Sequence, residues 1–192
     1  VEFDINLAEG IPENLQKENL GPIINSPYGE VAPIITPDGN TLYFTRSKHP
    51  DNIIDRKNKD GEILQDVWYA TKNSQGLWSA PKNLGRPVND ESLNAAATAS
   101  ASGNSLFILN LYRPDGTHSS GLSKTSFDNG KWSFPEEVKI ADYQAKSIKA
   151  NQPPTTEFSI SHDENVLIMG LNRLPSFGNN DLYVSFKQSD GS

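Results

Sequence analysis

An asparagine-marked turn returns three times in this chain, and the recurrence limits the fold more than any other feature. PDGNTLYF at residues 37–44, ASGNSLFI at 101–108 and HDENVLIM at 162–169 align without gaps. They place Asn40, Asn104 and Asn165 in register, 64 and then 61 residues apart, each followed two residues later by Leu42, Leu106 or Leu167. A unit repeated at a fixed period is one supersecondary element that cannot bury its apolar face alone, so the copies are expected to stack on one another.

The residues around each turn specify strands. VAPIIT, AAATAS and EFSIS precede it, and TLYFTR, SLFILNL and VLIMGL follow it; the second set is rich in β-branched and aromatic residues, which predicts a hairpin. Asp-Gly and Ser-Gly supply the positive φ of a tight turn. Asp163-Glu164-Asn165 lacks the glycine and is expected to leave that role to asparagine or to take another turn. A third strand is read from DVWYAT (66–71) and DLYVSF (181–186), with the more degenerate GLSKTS (121–126) between them. A fourth is read from GLWSAPKNLG (76–85) and GKWSFPEEV (130–138), where Gly, Trp, Ser and Pro keep identical spacing. Proline removes a ladder donor, so this strand belongs at an edge.

Four antiparallel strands per repeat, with a tryptophan near the last, is the pattern of a β-propeller blade. The expected fold is therefore all-β, a partial propeller of about three blades. The units are expected at 30–93, 94–154 and 155–192, the third lacking its outer strand. Residues 1–29 are expected to hold the end of a preceding repeat, because NLGPIINSPYGE (19–30) aligns with NLGRPVNDESLN (83–94). Propellers close with ~4–8 blades, so the sequence is expected to be a fragment of a longer chain.

Composition narrows the partners. With 17 basic and 24 acidic residues the net charge is −7, the wrong sign for a phosphate backbone, and nucleic acid is not expected as a partner. The absence of cysteine removes disulfides, zinc-thiolate sites and thiol nucleophiles; it fits either a reducing compartment or an envelope protein built without disulfides. No apolar run approaches the ~18 residues of a membrane span, and VEFDINLAEG lacks the basic start and apolar centre of a signal peptide.

The chemistry-bearing residues read mostly as architecture. Asp38 and Asp163 sit where aspartate caps turn amides. Trp78 and Trp132 recur at one position of the unit, which suits packing between strands or blades rather than a sugar platform. Asp66 and Asp181 begin third strands and are expected to make local hydrogen bonds there. NKDGE (58–62) fails as a calcium loop, since Arg56 stands where the first aspartate belongs. His49, His118 and His162 lie in unrelated contexts and are expected at the surface, with no metal or other cofactor and no catalytic residue. Glu30 and Glu157 lie near presumed inner strands but are out of register, which weakens the alternative, part of a glycan-binding or glycoside-hydrolase propeller.

ITPDGNTLYFTRS resembles the PD40, or WD40-like, propeller repeat of TolB and many bacterial envelope proteins. DVWYA followed by W-S-A-P-K-N-L-G-x-P-V-N resembles propellers of Bacteroidetes proteins that carry tetratricopeptide and OmpA-like domains. The likeness extends over 19–191, with departures at Ser102, Gly121 and Glu164. It implies a non-catalytic scaffold, periplasmic or outer-membrane-associated, with protein or peptidoglycan-linked partners in an outer-membrane secretion or motility assembly. Variable connections would then present the contacts: Asp51, Arg56, Lys59 and Asp60 in the first unit, Tyr112, Arg113 and His118 in the second, and Phe177 in the third.

Overall fold

The computed structural model describes residues 18–53, 65–143, 145–146 and 156–192. Apart from one four-residue turn of helix, α1 (Gly21–Ile24), the described regular elements are strands. Sheet 1 is the meander β1 (Gly29–Ile35), β2 (Thr41–Ser47), β3 (Gln65–Thr71) and β4 (Lys82–Asn83). Sheet 2 runs β5 (Ala96–Ala99), β6 (Ser105–Tyr112) and β7 (His118–Asp128), with β8 (Lys131–Trp132) and β9 (Glu136–Glu137) both pairing β7. Sheet 3 is β10 (Glu157–Ile160), β11 (Val166–Leu171) and β12 (Asp181–Phe186). All pairings are antiparallel and none of the sheets closes on itself. The first strands adjoin, β5 lying between β1 and β10.

The three hairpins are one structure built from different residues. Thr36, Ser100 and Ser161 each donate their N–H to the carbonyl five residues on, at Thr41 (2.9 Å), Ser105 (3.0 Å) and Val166 (2.9 Å). Their hydroxyl oxygens then accept the N–H of the same three residues, at 3.0, 3.1 and 3.0 Å. Asp38 and Asp163 accept the N–H and side-chain amide of Asn40 and Asn165, while Ser102 offers only its hydroxyl to the Asn104 N–H. These bonds to the charged form hold both carboxyls below the ordinary aspartate range, led by the Thr36 and Ser161 hydroxyls respectively.

One expectation is corrected here. Where the third turn lacks glycine, neither asparagine nor a different turn replaces it: Glu164 itself adopts φ +60°, beside +71° at Gly39 and Gly103. A side chain costs ~1 kcal/mol or more in that region. Glu164 gains an ion pair in exchange, its Oε2 lying 2.6 Å from Lys124 Nζ on sheet 2.

The matching connections also fold alike. Asn19 and Asn83 each accept the N–H of Gly21 or Gly85 at 2.8 Å, and Asn25 and Asn89 return their N–H to those glycines' carbonyls at 2.9 Å. Val88 is thereby driven between sheets 1 and 2, where it meets Tyr43 and Val67 on one side and Leu106 and Ile108 on the other. Ile24, its counterpart, covers Leu42, Phe44 and Trp68 on the opposite face of sheet 1. Full burial of such side chains is worth ~1.5–3 kcal/mol each; the Val88 layer fixes sheet 2 against sheet 1, and the Ile24 layer holds the 20s segment on sheet 1.

Candidate interaction site

The expected contact residues divide by burial. Asp51 is exposed at the end of the β2 turn, its carbonyl accepting from Asn83 Nδ2 at 3.1 Å. Arg113 is exposed and reaches Ser119 Oγ at 3.3 Å, and Phe177 stands fully in solvent. Arg56, Lys59 and Asp60, with the 58–62 loop, lie outside the described residues.

Tyr112 and His118 are the pair the fold brings together, and they belong to strands rather than to a loop. They face one another across the β6–β7 ladder with ring centroids 4.1 Å apart. His118 Nε2 lies 2.8 Å from Asp90 Oδ2, and Asn94 donates to Asp90 Oδ1 and to the Tyr112 hydroxyl, both at 3.0 Å. Burial alone would raise the Asp90 carboxyl, but hydrogen bonds from His118, Asn94 and the Ser92 N–H outweigh it and leave it lowered. Burial pushes the Tyr112 hydroxyl well up, keeping it neutral. The cluster therefore braces the junction of sheets 1 and 2. Surface placement holds for His162 but not for His118, nor for His49, which packs edge-on against Trp68 with centroids 4.6 Å apart.

The third-strand aspartates act locally. Asp66 Oδ2 accepts from the Ile53 N–H (2.8 Å) and Asn83 Nδ2 (2.6 Å), and Asp181 Oδ2 accepts from the Phe177 N–H (3.0 Å). Glu30 is likewise engaged: its Oε1 accepts from Arg46 Nε at 3.0 Å and from Ser26 Oγ at 2.5 Å.

The concave features lie between sheets, and the Trp-Ser-x-Pro segment explains how they differ. Trp132 enters the groove between sheets 1 and 2, edge-on to Tyr43 with centroids 6.2 Å apart and tilted against Phe127 at 5.2 Å. Ser133 beside it grips the third strand at two points. Its N–H donates to the Ser126 carbonyl at 2.8 Å, and its Oγ accepts the Ser126 N–H at 3.1 Å. Ser79 does the same to Thr71, at 2.8 and 3.1 Å. The groove retains about 410 Å³ beside the indole.

The groove between sheets 2 and 3 is larger, about 570 Å³, and no indole lines it. Phe107 floors it at the position of Tyr43, Lys124 stands at that of Tyr69, and the Glu164–Asn165 turn forms one wall. Lys187 adds a second ammonium 4.0 Å from Glu164. Sequence patterning missed these residues because Lys124 lies in the degenerate GLSKTS strand and its partner is forty residues away. Among the described residues no group of His, Asp and Glu is arranged to hold a metal ion.

Comparison of the sequence with protein-family models and with curated proteins gives no match.

Proposed function

We propose that this chain is a segment of a PD40-like β-propeller that serves as a non-catalytic scaffold for protein or peptidoglycan-linked partners in the bacterial cell envelope. The carrying observation is the threefold recurrence of one hairpin, closed each time by the same backbone and hydroxyl bonds of Thr36, Ser100 and Ser161, on sheets whose first strands adjoin. Radially stacked blades have that arrangement. The localisation rests on the sequence resemblance alone. The described residues include no helix long and apolar enough to cross a membrane.

Binding rather than hydrolysis fits the carboxylates. Glu30 is held by Arg46 and Ser26, and Glu157 lies exposed on the far face of sheet 3; a glycosidase needs two carboxyl groups flanking one sugar. The exposed groups are instead Asp51, Arg113 and Phe177 on separate connections.

Recovery of a specific envelope protein, or co-sedimentation with purified sacculi, tests the proposal with the wild-type chain and an Asp51→Arg, Arg113→Glu, Phe177→Asp triple variant of unchanged circular dichroism. Loss of binding in the variant supports it. Equal binding removes these connections from the interface. Release of reducing sugar from a glycan substrate would overturn the non-catalytic reading.

A further inference from the structure

We infer that the groove between sheets 1 and 2 binds a neutral pyranose ring of a glycan external to this chain. The inference rests on the groove itself and not on the scaffold's place in the cell.

Each wall belongs to a sheet that carries its outer strand, β4 or β8. Tyr43 forms the floor, Tyr69 and Leu84 the wall of sheet 1, and Trp132 and Phe127 the wall of sheet 2. The first two marker turns shut one end, where a Cβ on Gly103 would lie 3.3 Å from Thr36 Cγ2. The 410 Å³ that remains falls within the ~300–1,000 Å³ of small-molecule sites. Packing against Tyr43 and Phe127 accounts for only part of Trp132, which stays half-buried and lines the groove.

Four polar tips among the lining side chains have no hydrogen-bond partner among the described residues: the Tyr43 and Tyr69 hydroxyls, the Trp132 indole N–H and the Asn104 side-chain amide. Tyr43 is 5% exposed, so an unpaired hydroxyl there is costly unless something in the groove meets it. Burial, with Tyr69 beside it, pushes that hydroxyl up to about 12 and keeps it a donor. Asn104 is uncommitted for a local reason. The amides of Asn40 and Asn165 donate to Asp38 and Asp163 at 3.1 and 2.9 Å, whereas the second turn has Ser102 in place of the aspartate. The departure from the repeat thus releases an amide beside the aromatic walls.

These groups select the ligand. Asp38 is the one charged side chain lining the groove and no Lys, Arg or His joins it, so phosphate, sulfate and carboxylate find no counter-charge. A bare ammonium offers no acceptor to the indole N–H or the Asn104 amide. A flat heteroaromatic ring could stack on only one wall, because Tyr43 and Phe127 are inclined at 80° and 50° to the indole. A pyranose chair presents apolar C–H groups to inclined rings and hydroxyls, both donors and acceptors, to the four tips. With a single carboxylate in the groove, the chemistry is binding and not hydrolysis.

The test is titration of the ¹⁵N-labelled 192-residue chain with cellobiose and, separately, with N,N′-diacetylchitobiose. Saturable binding of at least one, with Kd of about 1 mM or tighter, is expected. The Trp132 indole N–H, the Asn104 side-chain amide and the Tyr69 backbone amide should shift most, and the preferred disaccharide tells a plain glycan from an N-acetylated one. Tyr69→Phe keeps the ring and is expected to weaken binding about tenfold. Ser102→Asp restores the aspartate of the other two turns and draws the Asn104 amide away. It is expected to lower affinity about fivefold while the fold stays at least as stable in chemical denaturation. No saturation by either disaccharide at about 10 mM, affinity unchanged by either variant, shifts centred outside the groove, or tighter binding of tetramethylammonium than of both disaccharides would each overturn the inference. The Asp51, Arg113 and Phe177 variant alters no residue of this groove, so failure here and failure of the scaffold reading are told apart.

Discussion

Sheets 2 and 3 are built to one pattern but live in different surroundings. Leu122 on β7 and Leu182 on β12 occupy equivalent register positions, opposite Leu109 and Gly170, five residues beyond the marker asparagine of their own sheet. Leu122 is 0% exposed and Leu182 is 83% exposed. Phe107 and Ile168 show the same contrast at the neighbouring position, 4% against 45%. Among the described residues, sheet 2 has a neighbour on each face, whereas sheet 3 has one only on the face that carries Met169 and Leu171. Burial in this architecture is therefore conferred by the adjacent sheet and not by a strand's own alternation of residues.

The sharpest way to break that comparison is to truncate both leucines. Leu122→Ala is expected to cost about 2–5 kcal/mol in chemical denaturation, and Leu182→Ala to stay within about 0.5 kcal/mol. Equal losses would mean that sheet 3 is covered in solution. Next in size, Ser133→Ala removes one of the two bonds that hold the outer segment to β7, and about 1 kcal/mol is expected to be lost. A smaller effect, dependent on salt, is expected at the third turn. Glu164→Gly relieves ~1 kcal/mol of backbone strain while forfeiting an ion pair worth ~0–1 kcal/mol. The variant should approach wild-type stability at low salt and exceed it at 1 M salt.

The smallest expected effect distinguishes the turns by pH. Asp38 and Asp163 have folded values lowered by hydrogen bonds to their charged form. Their contribution is therefore present above the ordinary aspartate value of about 4 and lost as pH falls through the lowered folded value. Hydrogen-exchange protection at Asn40 and Asn165 should decline in that window. Asn104, whose turn uses the uncharged Ser102, should not follow them.

The local parts of this fold were legible and the non-local ones were not. The hairpins and the N-L-G-x-x-x-N connections could be read because threonine, aspartate, asparagine and glycine bond to backbone within a few residues. Even the weak GLSKTS strand could be found from the period. By contrast, LYRPDGTHSS reads as a long loop because Pro114, Asp115 and Gly116 dominate it, yet the strands run in to Tyr112 and out from His118. Those rings are drawn inward by Asp90 and Asn94, which lie far off in sequence. Glu164 departs from the turn rule for a similar reason: the lysine that makes its conformation worthwhile belongs to another sheet. The role of Trp-Ser-x-Pro, an indole plus a two-point serine grip, needed coordinates to separate packing from edge pairing.

Arg46 gives the assembly a direction. Its guanidinium lies over Trp68, 4.6 Å from the ring centroid, donates to the Ile24 carbonyl at 2.9 Å and pairs with Glu30. It thus bolts the 20s segment across the outward side of sheet 1. A lysine, with a single point of charge, could not serve all three. One flank is thus closed by a cation, whereas among the described residues the far flank of sheet 3 presents Ile168, Leu182, Val184 and Phe186 to solvent, so the two ends of the stack of sheets differ in chemistry as well as in position.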